Sequence, residues 1–388
     1  MSPLVPDPNS PISGNQLGLY VHVPFCAAIC NYCNFNRGLF DEDAKTRFVG
    51  ALLKEIRAGV GEPVIPDTLY FGGGTPSLLT PEEIRSVIDE SRRVLGLAVD
   101  AEITIEANPE TIDADRLAGF RRAGVNRLSF GVQSFRDEEL QRLGRLHSAA
   151  RASEAVQTAR AAGFDNISLD LMMSLPGQST QQWLTSVERA IALAPEHMSL
   201  YILEVYPHLP LKQDIERHGW ALTTDDDAAE MYECAMSMLD AAGYAQYEIS
   251  NVCRPGRQSR HNLKYWMDGE WWGFGPGAHS TWRGGRWRNI ASTEEYVQRL
   301  GSGATPMVDH RQLSIEERLG DALFTGLRLN EGIDLDIMSR RYGVDVWERF
   351  GARLMPFCEA GVLLRQDARL RLTRQGMLLA GEVMSVFV

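Results

Sequence analysis

Three cysteines near the start of the chain lie within eight positions of one another. Cys26, Cys30 and Cys33 have the spacing Cys-x3-Cys-x2-Cys, which lets their three sulfurs reach one compact inorganic centre. An odd number of clustered thiols argues against simple disulfide pairing, and thiolates are the ligands of zinc and of iron–sulfur clusters. A structural zinc ion takes four ligands, and no fourth cysteine or histidine stands at metal spacing nearby. The pattern favours a four-iron cluster with one open iron over a zinc knuckle or buried free thiols.

Glycine and polar residues follow several short apolar runs further along the chain. Residues 72–74 are three glycines at the end of one run, where they allow a tight turn or the close approach of a ligand to the backbone. They lead into Thr75 and Pro76 rather than into a helix, so we do not expect a nicotinamide cofactor. Four polar residues lie at or after the ends of the later runs, namely Glu106, Gln133, Arg145 and Asp170. Singly, each is typical of a surface loop; together they could bind a polar zwitterionic ligand, since an arginine fork suits a carboxylate and acceptors suit a ribose.

The elements that must position these residues are strands alternating with helices. Strand patterns occur at 17–23, 68–71, 102–106, 127–132, 166–171 and 198–203. The helices between them carry start and stop signals, such as the capping box from Thr80 to Glu83 and the glycine at 124. Six βα units of this kind predict a parallel sheet, either doubly wound or an incomplete (β/α) barrel. In both folds the ligand lies at the carboxyl ends of the strands, where the cysteine loop and the polar residues are expected.

Composition sets broad limits on the function. The chain has 388 residues, 44% hydrophobic and 23% charged, as is usual for a globular protein of two or three domains. Its net charge of −12 argues against nucleic acid or an anionic membrane as the partner. No apolar run is long enough to span a bilayer, no secretory signal begins the chain, and the cysteines lack a disulfide framework. We therefore expect a cytoplasmic protein.

The chain divides into four segments by pattern. Residues 1–16 predict a flexible leader, 17–205 the strand–helix units, and 206–305 an extension rich in glycine, tryptophan, tyrosine and histidine towards its end. Residues 306–388 predict three helices, of which the first begins with a capping box at Ser314, then a hairpin and a further helix. That order is typical of a winged-helix-like domain, although nothing in it is strongly basic.

The motifs together resemble a known family. The cysteine motif with Tyr32 before its last cysteine is similar to that of the radical S-adenosylmethionine (SAM) superfamily. Residues 72–76 (GGGTP), 106–109 (EANP), 131–134 (GVQS) and 170–177 (DLMMSLPG) resemble the branch that contains oxygen-independent coproporphyrinogen III oxidase and the HemW-type heme chaperones. The resemblance covers nearly the whole chain, including the C-terminal helical domain.

The resemblance implies an α/β fold, a partial (β/α)6 radical-SAM barrel followed by the winged-helix-like domain. It implies a [4Fe–4S] cluster whose open iron binds the amino and carboxylate groups of SAM, which one electron splits into methionine and a 5′-deoxyadenosyl radical. The barrel would then have to exclude water and oxygen. The implied cluster ligands are Cys26, Cys30 and Cys33. The implied SAM contacts are Tyr20, Gly73, Gly74, Thr75, Glu106, Gln133, Arg145 and Asp170, with Tyr32 against the adenine.

Two features decide between the branch members. The oxidases have a further cysteine two residues after the third, where this chain has Phe35. They also have a longer N-terminal segment, which we do not expect here because only 16 residues precede the first predicted strand. Both departures favour the heme chaperones.

A motif in the extension is linked to heme in these chaperones. Residues 261–266 (HNLKYW) match it, which implies that His261 is an axial ligand of heme iron and that Tyr265 and Trp266 contact the macrocycle. The alternative is that the aromatic residues pack the barrel and His261 is a satisfied polar residue. His279, in a glycine-rich turn, and His22 are expected to be structural.

The sequence thus predicts a heme chaperone that binds a [4Fe–4S] cluster, SAM and heme and transfers heme to an acceptor protein. That acceptor could be a membrane protein, and a flavodoxin or ferredoxin could supply electrons. The alternative is a radical-SAM oxidoreductase that decarboxylates coproporphyrinogen III or modifies heme. The same barrel serves many reactions, so the motifs leave open whether the chain is an enzyme.

Overall fold

Parallel strands joined by helices form the larger part of the molecule. The structure is a computed structural model that describes residues 17–59 and 65–388. The predicted leader, 1–16, lies outside the described residues. The strands in chain order are β1 (Leu17–Val23), β2 (Phe25–Cys26), β3 (Gly38–Leu39), β4 (Thr68–Gly73), β5 (Glu102–Ala107), β6 (Arg127–Gln133), β7 (Ile167–Met173), β8 (His197–Ile202), β9 (Ala245–Glu248), β10 (Asn251–Cys253), β11 (Glu270–Phe274), β12 (His279–Trp282), β13 (Gly285–Asn289), β14 (Met307–Gln312), β15 (Ile333–Asp334), β16 (Leu363–Gln366) and β17 (Arg369–Leu372).

The helices follow the expected caps. Serine and threonine side chains cap the predicted boxes at Thr80 and Ser314, and the helix predicted to stop at Gly124 does so with φ of 111°. The helices are α1 (Glu42–Ala58), α2 (Pro81–Leu95), α3 (Ala114–Ala123), α4 (Asp137–Arg142), α5 (Ala149–Ala161), α6 (Thr180–Ala192), α7 (Pro210–His218), α8 (Asp225–Ala241), α9 (Arg260–Trp266), α10 (Thr293–Gly301), α11 (Ile315–Gly326), α12 (Leu335–Tyr342), α13 (Val346–Glu359), α14 (Arg374–Leu378) and α15 (Ala380–Met384).

In the described part of the chain, twelve strands form one sheet in the order β14-β13-β12-β11-β1-β4-β5-β6-β7-β8-β10-β9. The strands from β11 through β1 to β8 run parallel, and the flanking strands are antiparallel. The six predicted strands are confirmed as β1 and β4 to β8, with bounds within two residues. Because β14 and β9 do not pair with each other, the barrel is partial, as predicted.

The barrel has an apolar outer face and a polar inner face. Along β1, Leu17, Leu19 and Val21 are fully buried in the main hydrophobic core, and the alternating residues Tyr20 and His22 point to the opposite face. The same alternation places polar residues of the other parallel strands inside, so the inner face is suited to a polar ligand. The inner residues include Thr68, Tyr70, Glu102, Glu106, Arg127, Ser129, Ser168, Asp170, His197 and Ser199.

The extension adds strands to both flanks of the barrel. β9 and β10 extend the sheet beyond β8, and β11 to β14 extend it beyond β1. β11 pairs in parallel with β1, although 253 positions separate Gly18 from its partner Trp271. The domain boundaries at 205 and 305 stay predictions.

The C-terminal region is mainly helical with a small sheet. β15, β17 and β16 form a three-stranded antiparallel sheet beside α11 to α15. The order of helix α11, strand β15, helices α12 and α13 and the β16–β17 hairpin agrees with the expected winged-helix-like pattern. The predicted hairpin and the helix after Thr373 are both present.

Candidate functional site

The three predicted cluster cysteines lie on one loop at the carboxyl end of β1. Cys26 is buried in the short strand β2, Cys30 and Cys33 are partly buried, and all three are free thiols. The Cys33 amide donates to the Cys30 carbonyl at 3.3 Å, and Arg37 donates to the Cys33 carbonyl. The loop is thus folded back on itself with its thiols on one side of the barrel mouth.

The chemistry of this loop fits an iron–sulfur cluster. Burial raises the pKa of the Cys26 thiol, the Thr75 hydroxyl lowers it by a hydrogen bond, and the nearby Cys33 and Cys30 raise it again. Thiols that disfavour one another's charge become good ligands when a cation neutralises them. Within 17–59 and 65–388, no three cysteine, histidine or acidic side chains already stand in a metal-binding arrangement, so the sulfurs would have to close around a cluster.

The glycine run after β4 lies against the cysteine loop. The Gly74 amide donates to the Val23 carbonyl at 2.8 Å, and the Thr75 amide donates to the Phe25 carbonyl at 2.7 Å. A Cβ atom at Gly74 would lie 2.6 Å from the Phe25 carbonyl oxygen, and Gly73 has φ of 113°. Glycine is therefore required both for close approach and for backbone conformation.

Glu106, at the end of β5, joins this run to the barrel interior. Its carboxylate accepts hydrogen bonds from the Tyr70 hydroxyl at 2.8 Å and from the Gly73 amide at 3.1 Å. Burial raises the pKa of Glu106 to about 7, and the charge of Asp170 also raises it. The two hydrogen bonds from Tyr70 and Gly73 act in the opposite direction and lower this pKa. A carboxylate held in this state is suited to accept a hydrogen bond from a ligand.

Asp170 lies across the same inner face. The Ser129 hydroxyl donates to it at 3.1 Å. Burial raises the pKa of Asp170 to about 6, and Ser129 and the charge of Arg127 lower it. Two carboxylates with raised pKa values in one barrel mouth form a candidate ligand-binding site.

Arg145 and Gln133 complete the carboxyl end. One Arg145 guanidinium nitrogen donates to the Asn108 side chain and to the Gly131 carbonyl, both at 2.7 Å, and another lies 3.6 Å from the Cys30 sulfur. Gln133 has φ of 67°, in the left-handed region, at a β-bulge between β6 and β7. Backbone strain of this kind is concentrated at functional sites.

The two predicted tyrosines take different positions. Tyr20 stacks near Tyr70, with centroids 6.2 Å apart, and lies 3.1 Å from the His22 ring through its hydroxyl. Tyr32 packs against a separate small apolar cluster that includes Leu143, and burial raises its pKa. The charge of Arg145 lies beside Tyr32, so this tyrosine also borders the barrel mouth.

His261 lies at the opposite, amino end of the barrel strands. It is 1% exposed, and its ring forms hydrogen bonds to the hydroxyls of Thr68 at 2.8 Å and Tyr265 at 2.9 Å, one from each nitrogen. Glu102 accepts from its backbone amide at 3.1 Å, and its ring stacks on Tyr70 at 5.1 Å. In this arrangement neither ring nitrogen is free to bind iron. The role of His261 as a heme ligand stays a prediction, and it requires one of these bonds to break.

Several residues of the site were missed by sequence reasoning. Tyr70 and Ser129 hold the two carboxylates, Asn108 holds Arg145, and Arg127 is 1% exposed inside the barrel. Strand alternation could have placed Tyr70 and Ser129 inside. A charged residue at the start of an apolar strand was a signal for Arg127.

Comparison with known proteins agrees with this arrangement. The family model described as the radical SAM superfamily matches residues 20–190, and the HemN C-terminal domain model matches 313–379. The solved structure of Escherichia coli coproporphyrinogen III oxidase (HemN), described as a radical SAM enzyme, superposes with a TM-score of 0.85 over 96% of this chain and 90% of that one, at 23% identity. The fold and the site define a radical SAM protein with a HemN-type C-terminal domain.

Curated relatives narrow the class. The heme chaperone HemW of Bacillus subtilis is 36% identical over 95% of this chain and 98% of that protein, and HemW of Mycobacterium tuberculosis is 38% identical over 96% and 95%. The chain belongs to the HemW family of radical SAM proteins. A mitochondrial radical SAM domain-containing protein 1 of Bos taurus is also similar, with 35% identity over 95% of this chain and 87% of that protein.

None of the helices in 17–59 and 65–388 is both long and apolar enough to cross a bilayer.

Proposed function

We propose that this protein is a heme chaperone that binds a [4Fe–4S] cluster and SAM, takes up heme and transfers it to an acceptor protein. The observation that carries the proposal is the similarity to proteins named heme chaperones, at 36–38% identity over 95–96% of the chain. A similarity of that extent includes the extension and most of the C-terminal region.

The carboxyl end of the barrel supplies the residues for the two cofactors. Cys26, Cys30 and Cys33 would hold the cluster, which supplies a one-electron reductant and an open iron. Arg145 is already fixed by Asn108 and Gly131, so it is prepared to bind a carboxylate without losing much side-chain entropy.

The two partly buried carboxylates would face the hydroxyl or ammonium groups of SAM. Glu106 has raised pKa because burial disfavours its charge, and a ligand that donates hydrogen bonds or carries positive charge would reverse that effect. The same argument applies to Asp170. Polar groups that are costly in the free protein thereby favour the bound state.

The test is anaerobic reconstitution followed by two parallel measurements. The full chain is titrated with hemin and, separately, incubated with SAM and a reductant in an assay for 5′-deoxyadenosine. A chaperone binds about one heme per chain and passes it to an apo-acceptor such as apomyoglobin. Absence of hemin binding by protein with an intact cluster would contradict the proposal.

A second candidate function is oxidative decarboxylation of coproporphyrinogen III. The favouring observation is the close fold similarity to HemN, which at 23% identity concerns the fold alone. The reduced protein is incubated with coproporphyrinogen III and SAM, and formation of protoporphyrinogen would support the enzyme. Phe35, where the oxidases have a cysteine, favours the chaperone.

The proposed function requires two protein partners, an acceptor of heme and a donor of electrons. The acceptor is a heme protein, soluble or membrane-bound, and the electron donor is a flavodoxin or a ferredoxin. A cytoplasmic location belongs to the proposal. Pull-down of heme-loaded protein with candidate acceptors, against the heme-free protein, tests the dependence of the contact on heme.

A further inference from the structure

A cavity of about 480 Å³ opens beside the barrel, between β11–β13 and the helices α11 and α12. Its volume is in the usual range for small-molecule and cofactor sites, about 300–1,000 Å³. On its barrel side, Trp271 of β11 pairs with Gly18 of β1 and with Thr281 of β12. A Cβ atom at Gly18 would meet His261, so this register places Trp271 on the inner face. The cavity is thus a lateral extension of the barrel interior.

Aromatic side chains form one wall of the cavity. Tyr265 and Trp271 are packed edge to face, with ring centroids 4.7 Å apart. Phe324 of α11 also lines the cavity. Trp272 instead points to the core, where it packs against Trp287, so the adjacent tryptophans face opposite sides as strand geometry requires. This aromatic lining suits a flat, conjugated ligand.

Most of the charged groups in the cavity are already paired. Arg286 forms an ion pair with Asp321 at 2.7 Å, and Arg341 forms one with Asp268 at 3.1 Å. Arg318 is different, because no hydrogen bond or ion pair engages its guanidinium among the described residues. It lies over the Tyr342 ring at 5.8 Å and acts on Asp268 through its charge alone. It is therefore available for a carboxylate.

His279 is the second available group. It lines the cavity, its side chain is exposed, and within the described residues no hydrogen bond engages its ring. Partial burial and, after it, the charges of Arg288 and Arg286 lower the pKa of His279 and so favour the neutral imidazole, which is the form that binds iron. The expectation that His279 is structural stays a prediction.

We propose that heme, the cargo in the proposed function, binds in this cavity with His279 as an axial ligand of its iron and Arg318 in contact with a propionate. The proposal rests on the proposed function and specifies its heme site. Tyr265 lines the cavity and bonds to His261, so His261 acts on the site through Tyr265 as a positioning residue.

The test uses the anaerobically reconstituted full chain and two ligands, hemin and iron-free protoporphyrin IX. The variants are His279→Ala, Arg318→Gln and His261→Ala. The matched control is His218→Ala, an exposed histidine on α7 whose ring bonds to the Asp214 carbonyl. Absorbance titrations give the affinity, and the position of the Soret band reports the axial ligand.

The two ligands separate the iron contact from the propionate contact. His279→Ala should weaken hemin binding by at least about tenfold, shift the Soret band and leave protoporphyrin binding unchanged; added imidazole should restore the band. Arg318→Gln should weaken both ligands by about fivefold. His261→Ala should lower hemin affinity without moving the Soret band, because the ligand is retained.

The outcomes distinguish this inference from the proposed function. If the wild-type protein binds no hemin, the proposed function fails and the inference fails with it. A different set of results would overturn only the assignment to this cavity. In that case the wild type binds hemin, His279→Ala binds it as well as His218→Ala does, and His261→Ala abolishes the Soret band. Unequal loss of hemin and protoporphyrin binding in His279→Ala supports the assignment.

Discussion

The two ends of the barrel use similar residue types in opposite ways. The carboxyl end has two partly buried carboxylates with raised pKa values, Glu106 and Asp170, and three free thiols. At the amino end, α9 closes the barrel, and His261 has both ring nitrogens bonded to hydroxyls. The carboxyl end has polar groups that a ligand can still bond to, whereas the polar groups at the amino end are bonded to one another.

This difference teaches that a polar residue inside a barrel is a site candidate only when its bonding is incomplete. Burial costs free energy unless a partner compensates for it. His261 has its partners within the fold, so the fold explains its position. Glu106 has partners that only partly offset its burial, so a ligand is needed to explain it.

The largest expected effect is at the carboxyl end. Cys26→Ser should reduce the iron and sulfide content of the reconstituted protein to background, because a three-ligand site cannot lose a ligand and keep the cluster. Chemical analysis and visible absorbance measure the loss. Cys234→Ser, a partly buried cysteine on α8, is the control and should keep its iron. Wild-type iron content in Cys26→Ser would place the cluster elsewhere.

The next effect belongs to the amino end. His261→Ala should lower the free energy of unfolding by about 2–4 kcal/mol, since it creates a cavity and leaves the Thr68 and Tyr265 hydroxyls without their partner. Denaturant unfolding measures the change. His218→Ala, at the surface, should stay within about 0.5 kcal/mol. A loss below about 1 kcal/mol for His261→Ala would show that α9 does not close the barrel.

The pH dependence of this loss has a definite sign. Burial, then the charges of Lys264 and Arg127, lower the pKa of His261 to about 3. In the unfolded chain a histidine has a pKa near 6.5, so between about pH 6.5 and 3 the unfolded state binds the extra proton. The free energy of unfolding of the wild type therefore decreases as the pH is lowered through this window. The difference between wild type and His261→Ala should narrow by about 1–2 kcal/mol from pH 8 to pH 5, and a constant difference would contradict it.

Sequence reasoning predicted the fold well where the pattern was local. The six parallel strands and the capping boxes at Thr80 and Ser314 depend on residues within a few positions, and both are confirmed. β11 was missed, because its pairing with β1 joins distant parts of the chain and its sequence has no clear alternation. Long-range pairing leaves little trace in a local pattern.

The candidate site was predictable only in part for a related reason. The rule that ligands bind at the carboxyl ends of parallel strands placed Glu106, Gln133 and Asp170 together. The opposite location of His261 could not be predicted, because it depends on where α9 docks. The motif supplied the residue type, and the fold determined which groups were left without partners.

A smaller effect tests the incomplete bonding of the carboxyl end. Burial raises the pKa of Glu106 to about 7 in the folded protein. The folded state therefore favours the protonated carboxyl, and the stability that this form contributes is present below the ordinary pKa of glutamate and is lost as the pH rises through about 7. Glu106→Gln should therefore raise the free energy of unfolding of the ligand-free protein by about 1–2 kcal/mol at pH 8, with no gain at pH 4. The same variant should weaken SAM binding, measured by calorimetry.

The control for this prediction is Glu154→Gln, which alters an exposed carboxylate paired with Arg151. It should change neither stability nor SAM affinity appreciably. If Glu106→Gln is less stable than the wild type at pH 8, then Tyr70 and Gly73 compensate fully for burial. The two ends of the barrel would then not differ in how completely their polar groups are hydrogen-bonded.

The smallest expected effect is at Phe35, the residue that favoured the chaperone over the oxidase. Its side chain is 69% exposed, so Phe35→Cys should change the free energy of unfolding by less than about 0.5 kcal/mol. Under reducing conditions, iron content and hemin affinity should also be unchanged. The variant should form no protoporphyrinogen from coproporphyrinogen III, because one exposed thiol does not build a substrate site. Formation of that product would show that the barrel mouth already holds the oxidase machinery and that this single position separates carrying heme from making it.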